Sequence, residues 1–321
     1  MDNERQITSI RNTIEIHYCF NDISHSMDAF ILNKCNYEIL NIMKELSRLL
    51  SVEIIIETEP IGEGGLKTWL KVLGKQENAK AIILTALISA LCTTIIVTPI
   101  TKITETVIEK IFEDSELKNL EKEKLKLEIE VLKQEINLNA EKIDNNIAIR
   151  KRKSNYYEAL DKYNKVNQVQ FVLTNENKQV TYKNETVYKS DFGKFILVSD
   201  DLEPAENEEA IIEIISPVLK KGDYKWRGIY NGEQIAFNMF SNEFKTLIQN
   251  GEVEFKNGFS INCALIVRRK IDNEGNIMTI GYDVIRVNNY FLNDNPIETA
   301  EGKRHRKQKE AEKLQYKLFN E

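Results

Sequence analysis

The stretch Ala79–Lys102, AKAIILTALISALCTTIIVTPITK, decides how the rest of the chain is read. From Ala81 to Thr101 no side chain carries a charge, and Lys80 and Lys102 stand at the two edges. An α-helix rises about 1.5 Å per residue, so roughly 20 residues cross a hydrocarbon core about 30 Å thick. The stretch has that length, and both lysines can lift their ammonium groups to an interface. A helix in a water-soluble domain normally turns one charged face to solvent. This one has no such face, so the pattern predicts a transmembrane helix over 79–102. The competing reading is a fully buried core helix, which the threonines and the late β-branched residues favour.

On a helical wheel Leu84, Ile88, Leu91 and Ile95 share one side. Thr85, Ser89 and Thr93 form a second stripe beside Cys92, and Ala86, Ala90, Thr94 and Thr98 a third. Small and hydroxyl side chains let membrane helices approach and bond one another. The Thr85, Ser89 and Thr93 stripe is therefore the expected pore lining of an oligomer. The alternative is that these hydroxyls bond back to carbonyls of their own helix.

Outside this stretch the chain belongs in water. It has 321 residues, 29% of them charged, a net charge of −6 and a mean hydropathy of −0.40. Cys19, Cys35, Cys92 and Cys263 show no CxxC pair or zinc spacing, and they read as buried free thiols of a reducing compartment. The N-terminus lacks the basic, apolar, small-residue order of a signal peptide. Richness in Asn, Ile and Lys suggests an AT-rich bacterial genome.

The expected architecture is an α+β membrane protein with five parts. Residues 1–78 read as a small β-α-β unit: strands over Thr13–Phe20 and Ser51–Thr58, a helix between them started by Ser26 and Asp28, then GEGG and a short helix LKTWLKVLG. The transmembrane helix over 79–102 continues into a helical stalk over 103–160. There Leu125, Ile129, Leu132, Ile136 and Ile143 keep heptad spacing, with Asn139 and Asn146 at seam positions. A mostly antiparallel β-rich sensor domain is expected over 165–292, with a helix capped by Ser241 and a final hairpin turning at DNEG. Residues 293–321 read as a basic helical tail.

Catalytic motifs are absent: there is no phosphate loop, GxSxG elbow, HExxH helix or kinase set. No metal or cofactor is expected, and the chain reads as a non-enzyme. The nearest catalytic cluster is Asp22, Ser24, His25 and Asp28, with His25 as a base; the plainer reading is a capped helix start. Basic clusters at Arg150–Lys153, Arg268–Lys270 and Lys303–Lys307 can neutralise the phosphates of a nucleotide or oligonucleotide, with anionic lipid headgroups as a rival target. Aromatics at Tyr224, Trp226, Tyr230 and Phe237 can stack bases. The expected ligand-binding residues are Trp226, Arg268, Lys270, Lys303, Arg304 and Arg306.

Length, a single apolar span, a stalk-like helix and a β-rich domain with basic clusters together resemble the channel-forming effectors of the Hailong anti-phage defence systems. SHSMDA and EGGLKTW look like family signatures, although no motif carries a site residue across. The resemblance implies an oligomeric channel in the bacterial cell membrane, with its sensing domain in the cytoplasm. It implies gating by a nucleotide or single-stranded DNA oligomer and a nucleotidyltransferase partner that makes it. The alternative is a membrane-anchored scaffold or receptor that binds a protein without conducting.

Overall fold

The computed structural model describes residues 13–23, 26–59, 66–74, 79–99, 130–131, 134, 138, 140–174, 180, 185–220, 222, 224–253, 255–256, 258–292 and 295–319. The chain divides into two compact units. The first comprises Met1–Ser199 with Asn273–Asn276, and the second Asp200–Asp272 with Ile277–Glu321.

The first unit is built on an antiparallel sheet of five strands: β1 (Thr13–Phe20), β2 (Ile54–Glu59), β3 (Leu66–Gly74), β4 (Val166–Thr174) and β5 (Glu185–Tyr188). Their order is β2-β3-β1-β4-β5. Helix α1 (Ala29–Leu49) begins at Asp28, whose carboxylate accepts from the Phe30 and Ile31 amides at 2.8 and 3.1 Å. Asp28 is thus the cap itself rather than a first-turn acid after Ser26. The segment LKTWLKVLG is strand β3, not a helix. It pairs with β1 on one side and β2 on the other, and Glu15 holds both Lys67 and the Trp69 indole across the ladder. Pairing on both edges outweighs the helical spacing of its leucines.

The apolar stretch is helix α2 (Ala79–Val97), and it is the core of this unit. It touches β1, β3, β4, β5 and α1. Leu87, Ile88, Leu91, Cys92, Ile95 and Ile96 are almost completely buried, together with Thr85, Ser89 and Thr93. Among the described residues no helix is long and apolar enough to cross a membrane. This corrects the expected α+β membrane architecture of a transmembrane helix continuing into a stalk, and with it the membrane-protein and ion-channel assignments. The physical reason is that apolarity on all sides requires an apolar envelope, and a sheet with a second helix supplies one as well as lipid does. Two of the three hydroxyls of the expected pore stripe are spent inside the helix, and Thr85 is buried with them. Ser89 donates to the Thr85 carbonyl at 3.1 Å and Thr93 to the Ser89 carbonyl at 3.0 Å.

Helix α3 (Ile147–Asp161) explains how the end of α2 is closed. The last turn of α2 has no basic residue of its own, so its carbonyls need outside donors. Tyr157 donates its hydroxyl to the Ile96 carbonyl at 2.8 Å, and the Lys153 ammonium donates to the Thr98 and Pro99 carbonyls at 3.1 and 3.3 Å. A cation at a helix C-terminus also meets the favourable end of its dipole. Burial nevertheless pulls the Lys153 ammonium down to a pKa of about 8. Arg152 reaches Glu38 on α1 at 3.1 Å, and Asn155 donates to the other Glu38 oxygen at 3.3 Å. The expected stalk therefore ends in a helix of the first unit's interior. Asn146 caps α3 through the Ile149 amide, and Ile143 is buried in the same core. Leu125, Ile129, Leu132, Ile136 and Asn139 lie outside the described residues. A 3-10 turn (Lys189–Phe195) follows β5 and lays Phe195 on the Tyr157 ring, with centroids 4.1 Å apart.

The second unit contains β6 (Asp201–Ser216), β7 (Trp226–Tyr230), β8 (Glu233–Met239), helix α4 (Asn242–Gln249), β9 (Ser260–Ile271), β10 (Ile277–Leu292), β11 (Asn295–Glu298) and helix α5 (Ala300–Phe319). Strand β6 pairs with β7, β7 with β8, β8 with β10, β10 with β9, and β9 returns to β6. Five strands thus close into a barrel in which only the β8–β10 contact is parallel. The long strands β6 and β10 shift register at several points, which lets one strand bend and serve two neighbours. Gly228 is needed for closure: a Cβ there would stand 2.6 Å from the Glu213 carbonyl oxygen. Asn231 and Gly232, at φ 51 and 83, make the two-residue turn between β7 and β8. Ser241 caps α4 through the Phe244 amide, and Phe244 and Ile248 turn inward to meet Trp226, Phe237 and Val284.

Candidate nucleic-acid interface

Numbered within the barrel, the strands run 1-2-3-5-4 and back to 1, with a helix between the third and fourth. This is the connectivity of the oligonucleotide/oligosaccharide-binding barrel, in which the faces of strands 2 and 3 and the loop joining strands 1 and 2 receive ligand. Here those elements are β7, β8 and the segment from Pro217 to Lys225.

Side chains alternate along β7. Trp226 and Gly228 point into the barrel, and Arg227 points out. Arg227 lies between Ser216 on β6 and Ala236 on β8, two small exposed neighbours that leave its guanidinium open. The same end of the β7–β8 ladder carries Tyr224, 56% exposed, just before β7, and Phe240, 55% exposed, just after β8. Lys220 and Lys225 come from the adjoining loop and Lys245 from α4. Lys220, Lys225, Arg227 and Lys245 make no ion pair among the described residues. One end of the face therefore combines open cations with open rings. Its other end is different in character, since Glu233 follows the tight turn and Glu213 stands opposite Ile229.

Between the loop and α4 lies a half-open recess of about 350 Å³. Asn242, Lys245, Thr246 and Gln249 line it from the helix, at the spacing of a single helical face. Val218, Lys220, Gly222, Tyr224 and Trp226 line it from the other side. No acidic residue is among its described lining. Gly222, at φ +141, has the Tyr224 ring so close that a Cβ would stand 2.8 Å from it, so the glycine seats that ring beside the recess.

The expected ligand residues are dispersed. Trp226 is 1% exposed and packs on Phe237 and Phe244; its contribution is a floor to the recess rather than an open stacking face. Arg268 is held by Asp283 at 2.9 Å, and Gly281 leaves the room its guanidinium occupies. Lys270 stands exposed on β9, and Lys303 is exposed at the start of α5. Arg304 is paired with Glu243, and Arg306 with Glu298 and Glu310 at 2.9 and 3.1 Å. Much of the tail's charge is thus answered by acids of its own and of β6 and α4: Arg306 holds the Glu298 carboxyl below the usual range, and Lys309 does the same for Glu208. Of the Arg150–Lys153 cluster, Lys151, Arg152 and Lys153 are interior.

Around the expected catalytic cluster, Asp28 is committed to two backbone amides and Asp22 to Lys165 at 3.4 Å, while Ser24 and His25 lie outside the described residues. Burial pushes the Cys35 and Cys263 thiols up to about 12 and raises Cys92 as well, so these three are packing groups rather than nucleophiles. The residues overlooked in the sequence are Lys220, Lys225, Arg227, Phe240 and Lys245. Most of them sit in one visible run, KKGDYKWR (Lys220–Arg227), where basic and aromatic residues interleave.

No protein family, curated protein or solved structure matches the chain.

Proposed function

We propose that the second unit is a binding module for a single-stranded oligonucleotide, taken up across the Arg227 end of the β7–β8 face. The observation that carries this is the pairing of unneutralised Lys225 and Arg227 with exposed Tyr224 and Phe240 on a barrel of this connectivity. Cations that track a phosphate backbone, beside rings that stack successive bases, are the two ingredients of single-strand binding. A duplex offers no free base faces, so the rings favour the single strand. The chain's net charge of −6 provides no long-range attraction for a polyanion. Affinity then comes from local contacts, and it falls steeply with salt. Conduction has no part in this reading, because α2 is a core helix.

The test is a titration of the full chain into a fluorescent oligothymidylate of about 12 nucleotides, a length matched to one such barrel. Saturable binding is expected, with a duplex of the same length bound at least tenfold more weakly. Equal affinity for duplex and single strand would remove the role of the rings.

A further inference from the structure

We infer that the recess between the β6–β7 loop and α4 receives the phosphorylated end of the oligonucleotide, as a phosphate monoester. This rests on the preceding reading and adds which part of the ligand sits where.

A phosphodiester inside a strand carries one negative charge and must leave its site in two directions. A terminal monoester carries about −1.5 to −2 near pH 7, has three acceptor oxygens, and enters from one side only. The recess suits the second. It is lined by Val218 and Trp226 on one side and by α4 on the other, so its described walls hold a short end rather than a long run of strand. Its volume of about 350 Å³ lies at the small end of ligand pockets, the size of one terminal nucleotide rather than a strand. Lys220 and Lys245 approach from opposite walls, neither is spent on an acid among the described residues, and no described carboxylate shares the lining. Two facing cations answer a dianion better than the single charge of a diester. The Asn242 and Gln249 amides supply further polar groups along the same helix face, whereas the Thr246 hydroxyl is spent on the Asn242 carbonyl at 2.8 Å. The Tyr224 ring, seated on Gly222 beside the opening, is placed to stack the terminal base.

Three oligothymidylates of about 12 nucleotides, ending in a 5′-phosphate, a 3′-phosphate or hydroxyls only, are titrated with the full chain at fixed salt. The expected result is tighter binding of one phosphorylated end by about tenfold or more over the hydroxyl-ended strand, the preferred end giving the strand's direction. The preference shrinks below pH 6, where the dianionic monoester takes up a proton and keeps a single negative charge. In Lys220→Gln/Lys245→Gln the three strands bind alike. If all three strands bind the wild type equally, or the double variant keeps the preference, the end-binding assignment is overturned while the module reading stands. If none of the three binds, both readings fall.

Discussion

The Arg152→Met variant loses about 3–5 kcal/mol of stability, the usual consequence of removing one partner of a buried ion pair. Glu38 and Arg152 are 3.1 Å apart, with side chains only 5% and 9% exposed, and the guanidinium also lies over the Tyr37 ring at 5.1 Å from its centroid. Methionine fills most of the space but leaves Glu38 buried with Asn155 as its remaining donor. Burial already raises the Glu38 carboxyl above its ordinary value, although Arg152 and Asn155 both pull it down. The folded state therefore holds that proton more tightly than the unfolded state, and stability falls as pH rises through the interval above 4.5. Without Arg152 the carboxyl rises further, so the deficit is larger at pH 7.5 than at pH 5. Glu38→Gln/Arg152→Met leaves no charge behind and recovers most of the loss. Urea unfolding of the three proteins at both pH values measures this; a pH-independent deficit would mean that lost packing, not the stranded carboxylate, is responsible.

The second large effect concerns ligand. Lys225→Ala/Arg227→Ala weakens binding of a hydroxyl-ended oligothymidylate by about 3- to 30-fold at low salt, as expected for two exposed charge contacts. It also flattens the dependence of log affinity on log salt by roughly 1.4, because each phosphate contact on a single strand contributes about 0.7. Phe240→Ala separates the other half of the site. Loss of one stacked base costs about 1–3 kcal/mol of binding and leaves the salt slope where it was. Should the paired-charge variant keep the wild-type slope, the cations at Lys225 and Arg227 do not meet phosphate.

How much of this was legible in the sequence differs from element to element. The apolarity of Ala79–Val97 is plain, but its envelope is not. The partners that cover it, β1, β3, β4 and β5 with α1, are scattered on both sides of the helix along the chain. Arg152 and Lys153 read as charge available to phosphates because the sequence cannot show that Glu38 and the carbonyls ending α2 await them. The same blindness acted in reverse on the tail. Arg304 and Arg306 look available until Glu243 and Glu298 are found beside them. Short-range chemistry fared better: Ser241 starts α4, and the final hairpin turns at Asp272–Gly275, between the paired Ile271 of β9 and Ile277 of β10. Barrel closure, by contrast, depends on the parallel contact of β8 with β10, which pairs Phe237 with Tyr282 across a helix and another strand. No local pattern announces such a contact.

The most direct test of the module reading is amide hydrogen exchange of the full chain, free and saturated with hydroxyl-ended oligothymidylate. The account predicts slowed exchange in the stretch Tyr224–Phe240, covering β7, β8 and their flanks, with α1, α2 and α3 unchanged. Slowing confined to the first unit, or none in Tyr224–Phe240 at saturation, would contradict it.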